Sequence, residues 1–258
     1  MLFVPALSGK KITKAMESTA DAVIIDLEDS VSENEKTQAR NEIRELAPTR
    51  TALVRINSQS SSHFESDVET VGALPWVAGV VLPKVRSALD VKHFRDVAGG
   101  EVYVLALIES AQGIVSADEI AASGVNRFAF GSVDYAADLG VPPTDQLYSY
   151  PRSRLVVASR AAGLPAPVDG PTVTLHNEDV LESDARLSAA YGMGGKFCIH
   201  PEQLLTVQAA FGSSTSDKRW ARELLDAFER NGGGVFTFGG EMVDVPIITR
   251  ARKILDDE

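Results

Sequence analysis

Val23-Ile24-Ile25-Asp26-Leu27-Glu28-Asp29 is a short apolar run that turns acidic as it ends. Side chains on a strand alternate between faces, so Asp26 and Glu28 share one side of it. The same construction recurs outward along the chain. Leu53-Val54-Arg55-Ile56-Asn57 ends with Arg55 and Asn57 on one face, Leu82-Pro83-Lys84 ends in a lysine, and Leu107-Ile108-Glu109 ends in a glutamate. Gly131-Ser132-Val133-Asp134 follows a sixth run, and His200 closes an eighth. The predicted strands are 2–6, 22–28, 52–57, 79–85, 102–109, 126–131, 167–170 and 196–200, repeating about every 25–30 residues as βα units do. Helical patterns fall between them at 10–19, 33–46, 88–97, 114–122, 152–162 and 178–190. Eight strands alternating with helices predict a (β/α)8 TIM barrel, with an open doubly wound sheet as the structural rival. In a barrel the polar strand ends converge on the face where active sites lie.

The rest of the chain sets limits. Its 258 residues suit one barrel domain, predicted over 1–212, and a C-terminal helical extension over 213–258 that packs on the barrel or on a neighbouring subunit. That tail contains a predicted helix over 216–230, a glycine-rich break at Gly232–Gly234, a strand over 235–238, a turn at Gly239–Gly240 and a last helix from Pro246. A formal net charge of −11 argues against nucleic acid or an anionic membrane as a partner. The lone Cys198 excludes an intramolecular disulfide and reads as a buried small hydrophobe. No basic leader with a long apolar core and no membrane-spanning run is visible, so the expected location is cytoplasmic.

The charged residues at the strand ends carry the chemistry. Glu109 and Asp134 are predicted on adjacent strands, and two carboxylates with no His or Cys beside them suit a hard cation such as Mg2+. A structural network pairing Glu109 with Lys84 or Arg55 accounts for the same residues, and the pattern alone leaves both open. Arg55 offers a planar fork for a carboxylate or enolate, or for Asp26 or Glu28. Lys84 is either a Schiff-base lysine or a charged partner of the acids. Ser8-Gly9-Lys10-Lys11, leaving the first strand into a helix, is the better of two phosphate candidates, though a plain helix N-terminus with solvated lysines explains it too. Gly192-Met193-Gly194-Gly195-Lys196 precedes a strand and so lacks the context of a phosphate loop. His200 before Pro201 is as well placed to start a helix as to catalyse.

At these residues the chain resembles the citrate lyase β-subunit family, which includes malyl-CoA and citramalyl-CoA lyases. The resemblance is carried in order by the stretches 2–6, 25–31, 54–57, 82–84, 107–113, 130–134, 196–201 and 240–246, nearly the whole chain. It implies a modified TIM barrel binding Mg2+ through Glu109 and Asp134, with Arg55 on the 2-oxo acid carboxylate or the enolate oxygen. It places Glu28 and Asp29 in the catalytic group, Asp29 near the metal's waters, with Lys84 and Ser132 among the substrate contacts. It also implies a homo-oligomer, a trimer or hexamer, whose tail delivers Asp244 as general acid/base to the next subunit. Read without the resemblance, Asp244 before Val245-Pro246 is a helix N-cap.

The implied reaction is Mg2+-dependent making or breaking of a carbon–carbon bond in a 3-hydroxyacyl-CoA thioester, yielding an acyl-CoA and a small 2-oxo acid. Many relatives carry Arg-Pro just after the first strand, where this chain has Leu7-Ser8-Gly9-Lys10. Lys10 or Lys11 would then meet the CoA phosphates. Two other readings stand beside this one: a class II pyruvate-type aldolase that uses no CoA, and a barrel that has lost catalysis and serves as an assembly subunit.

Overall fold

The computed structural model describes residues 1–256. The chain falls into two compact units, Met1–Val207 and the segment from Gln208 onward. The first unit runs β1 (Leu2–Pro5), α1 (Gly9–Met16), β2 (Val23–Asp26), α2 (Lys36–Arg44), β3 (Ala52–Arg55), α3 (Phe64–Gly72), β4 (Val77–Leu82) and α4 (Ala88–Ala98). It continues with β5 (Tyr103–Ile108), α5 (Ala111–Val115), α6 (Ala117–Ala121), β6 (Arg127–Phe130), α7 (Ser132–Leu139), α8 (Asp145–Ala161) and α9 (Glu178–Ala190), and α10 (Leu204–Phe211) crosses into the second unit.

The six strands form one parallel sheet in sequential order, β1 to β6. Their runs are mainly apolar, with charge confined to strand ends, because a parallel sheet covered by helices buries both faces, and all four residues of β2 are buried. Ile24, Leu53, Val81, Leu105, Leu107, Ala129, Val168 and Phe197 make one core cluster, to which each strand from β2 to β6 contributes. Parallel register sets the strand ends side by side, with Asp26 opposite Arg55.

The seventh and eighth predicted strands are not formed as strands. Ala129 bridges Val168, Asp169 bridges Lys196, and Cys198 bridges Leu2, each as an isolated parallel pair. Pro167 and Pro171 bracket the first of these segments, and proline lacks the N–H a ladder needs. Two helices, α3 and α7, lie where no helical pattern was predicted. Of these α7 matters for function: it begins directly after Gly131 and takes Asp134 into its first turn, so Asp134 sits on a helix and not on a strand end.

The second unit contains α11 (Thr215–Arg230), β7 (Phe236–Phe238), β8 (Glu241–Val243) and α12 (Val245–Asp256). Ser214 caps α11, its Oγ accepting from the Asp217 N–H at 3.0 Å. Ala221, Leu224, Val243, Ile248 and Ala251 form this unit's own core. The extension is therefore not purely helical. Gly239 and Gly240 have φ of 61° and 88°, the left-handed pair that a two-residue hairpin turn requires, and they fold Glu241–Val243 back antiparallel onto β7. No helix among the described residues is long and apolar enough to cross a membrane.

Candidate active site

Arg55, the last residue of β3, lies opposite Asp26, the last of β2. Its Nε donates to Asp26 Oδ1 and its Nη2 to Oδ2, both at 2.7 Å. Asp26 also accepts from the backbone N–H of Glu28 at 2.9 Å and of Ser30 at 3.1 Å. Burial alone would raise the Asp26 carboxyl, but the Arg55 guanidinium outweighs it and holds the group below its ordinary value. The fork is thus committed to Asp26 along one edge. The other edge is shared: Nη1 is 3.2 Å from Glu28 Oε2 and 3.5 Å from Asp29 Oδ2. The Phe3 ring packs under the guanidinium, 4.9 Å away.

Glu28 is buried between two cations, with Lys84 Nζ 3.2 Å from its Oε1. Neither of its oxygens receives a well-directed hydrogen bond. Desolvation therefore dominates, and the carboxyl is pushed up to about 7 against the pull of Arg55. Lys84 also reaches Asp29, at 3.7 Å. Burial works against its charge, and Glu28 and Asp29 overcome this, holding the ammonium above its ordinary value. A lysine kept charged is not the neutral amine that a Schiff base needs.

Glu109 follows β5 directly and is 5% exposed. Its Oε1 accepts the Lys84 backbone N–H at 2.6 Å. Burial, then the charges of Glu28 and Asp134, push this carboxyl up to about 8. Asp134 stands in the first turn of α7, where the free N–H groups favour negative charge. Glu109, Asp134, Arg55, Asp26, Asp29 and Ser132 line one cavity of about 460 Å3. A larger cavity of about 710 Å3 shares Ser132, Val133 and Pro171 with it but contains none of those acids, so the chemistry belongs to the smaller.

The donor set fits a hard dication. Like-charged carboxylates crowd this pocket, Glu109 in its wall and the neighbouring Glu28 are held well above the ordinary range, and a bound cation relieves such crowding. Among the described residues no group of three or more His, Cys, Asp and Glu is arranged for a metal. A cation on Glu109 and Asp134 would therefore complete its shell with water or substrate oxygens, as Mg2+ commonly does.

Lys10 and Lys11 lie exposed in the first turn of α1, whose cap Ser8 accepts from the Lys11 N–H at 3.4 Å, and neither lines the cavity. Asp244 belongs to the second unit. It precedes α12, half-buried, with a long 3.5 Å contact from the Ile247 N–H to its Oδ1. His200 caps the short turn Pro201–Gln203, accepting from the Glu202 N–H at 3.3 Å. Sequence reasoning passed over a buried cluster linking Arg152 to Asp169 and Asp184 and Lys196 to the same two acids. The signal available was an aspartate inside the short run Val168-Asp169-Gly170.

The family described as HpcH/HpaI aldolase/citrate lyase matches residues 1–201, and the chain belongs to it. Its members include lyases. A citrate lyase subunit beta-like protein of Deinococcus radiodurans is 33% identical over 276 residues, spanning 100% of this chain and 96% of the relative. The mitochondrial citramalyl-CoA lyase of Rattus norvegicus is 32% identical over 285 residues, spanning 99% and 84%. The crystal structure of CitE from Mycobacterium tuberculosis in complex with magnesium, acetoacetate and coenzyme A matches with a TM-score of 0.88 at 34% identity, covering 99% of this chain and 96% of that one.

Proposed function

We propose that this protein is a Mg2+-dependent carbon–carbon lyase acting on a 3-hydroxyacyl-CoA thioester of the citramalyl-CoA, malyl-CoA or citryl-CoA type. The observation that carries the reading is the meeting of Glu109, Asp134 and Arg55 in one cavity, all three within the stretch that the family matches. The isolated bridges at Val168, Asp169 and Cys198 support a closed (β/α)8 barrel as the framework.

Glu109 and Asp134 would hold the cation, which when bound supplies the positive charge that polarises the 2-oxo acid carbonyl. Asp244, delivered by a neighbouring subunit of a homotrimer or hexamer, takes the proton of the 3-hydroxyl. The bond between the α- and β-carbons then breaks, its electron pair passes into the thioester enolate, and Asp244 returns the proton to the α-carbon. Arg55 meets the carboxylate or the enolate oxygen with its Nη1 edge, the one that Asp26 leaves free, and offsets the charge that develops. Glu28 and Asp29, each also paired with Lys84, hold that edge in place, and Ser132 lines the wall beside Asp134. Lys10 and Lys11 are the basic groups nearest in sequence to the strand end where CoA phosphates are expected. A reducing, cytoplasmic setting belongs to the same reading, the lone Cys198 having no disulfide partner in its own chain.

A panel of 3-hydroxyacyl-CoA esters assayed with Mg2+, and again with chelator, tests this. Turnover that chelator abolishes is expected, together with a loss of at least about a thousandfold in Glu109→Gln and Asp134→Asn. Cleavage of a free 4-hydroxy-2-oxo acid with no response to any CoA ester would move the protein to the pyruvate aldolases instead.

A further inference from the structure

The Glu109 carboxylate is set by main chain on two sides, and neither contact carries chemistry of its own. On one side the Lys84 N–H reaches Oε1 at 2.6 Å. It does so from a φ of 54°, and Lys84 is the one non-glycine residue with positive φ among those described. A side chain in the left-handed region is disfavoured by contact of its Cβ with the carbonyl. The chain nevertheless adopts this turn at the residue whose N–H meets the buried acid.

On the other side stands Gly131. Its φ of −90° and ψ of 78° are open to residues other than glycine, so conformation does not explain the absence of a side chain. Room does. A Cβ at 131 would lie 2.5 Å from Glu109 Cβ and 2.6 Å from Oε2, closer than real Cβ contacts come. Gly170 repeats the device one layer on, since a Cβ there would collide with Cβ and Oγ of Ser132, the residue that opens the helix bearing Asp134.

We propose that the left-handed backbone of Lys84 and the missing side chain of Gly131 are positioning elements that hold Glu109 where it can share a cation with Asp134. The inference rests on the metal reading above and adds to it the residues that set the ligand's place. Outer contacts of this kind govern affinity by fixing the ligand before the metal arrives.

Binding of Mn2+, followed by electron paramagnetic resonance, tests it without reference to turnover. Gly131→Ala is compared with Gly195→Ala, whose added Cβ meets nothing within 4 Å. Lys84→Asn is compared with Lys84→Val. Both remove the ammonium from Glu28 and Asp29, but asparagine tolerates positive φ and β-branched valine does not. The ammonium is missing from both, so the difference between the two does not report its charge. We expect Gly131→Ala to bind about tenfold or more weakly than Gly195→Ala, and Lys84→Val about tenfold or more weakly than Lys84→Asn. Circular dichroism and thermal midpoints identify any variant that has lost its fold, and if Gly131→Ala is one of them, the Lys84 pair decides. A wild-type protein that binds no Mn2+ overturns the metal reading itself. Wild-type binding with unchanged affinity in Gly131→Ala and in Lys84→Val overturns the positioning role alone.

Discussion

Burial pushes the carboxyls of Glu28 and Glu109 up to about 7 and about 8, from an ordinary 4.5, and this links protons to stability. In the unfolded chain both groups lose their protons near the ordinary value, whereas the folded chain keeps them. Folding is therefore favoured by protons through this window, and stability falls as pH rises from the ordinary value through the folded ones. Asp26 works the other way, its lowered carboxyl contributing stability that is lost only at acid pH as it titrates in the fold. The metal-free protein is expected to melt lower at about pH 8.5 than at about pH 6, and Mg2+ should narrow the gap while releasing protons on binding. Thermal melts with chelator, and calorimetry in two buffers of different ionisation enthalpy, check this. A midpoint that stays flat or rises across the window would refute it. At this scale the sequence was informative about residue type and silent about contact. It offered Arg55 a ligand or an acid, and only the register of β2 against β3 shows that one edge of the fork is taken by Asp26.

Six strands were legible because apolar residues crowd short runs, most of which turn polar as they end. The remaining two segments carry the same pattern but shrink to single bridges, since prolines flank one of them. What ties them down is charge. Asp169, fully buried, accepts from Arg152 Nη2 at 2.9 Å and Lys196 Nζ at 3.3 Å, and from the Ser188 hydroxyl. Lys196 also donates to the Gly170 carbonyl at 2.7 Å. Removing one partner of a buried pair strands the other charges, at a cost of about 3–5 kcal/mol. Asp169→Asn is accordingly expected to lower unfolding stability by about 3 kcal/mol or more, measured by chemical denaturation. A loss below about 1 kcal/mol would mean that the ladder, not the charges, holds these segments. Asp134 teaches a related point. Its 25-residue spacing from Glu109 suits one strand to the next, yet a helix begins at Ser132 and carries it on its first turn.

At the scale of the molecule, the two units each possess a core of their own, and the reading of Asp244 requires them to cooperate between subunits. Glu109→Gln and Asp244→Asn chains should each be inactive alone. Mixed by unfolding and refolding, they should recover about a quarter of wild-type activity, because random assembly of a symmetric oligomer leaves that share of sites with both groups intact. No recovery in a confirmed mixed oligomer would place Asp244 in its own chain's site or outside catalysis. The sequence by itself determined which residues could do chemistry and where along the chain apolar strands give way to them, because strand period and burial leave a local trace in residue type. The tertiary structure alone decided which of those groups touch, how far each is desolvated and which backbone holds them, because Lys84, Glu109 and Gly131 lie far apart in the chain and meet only through the sheet.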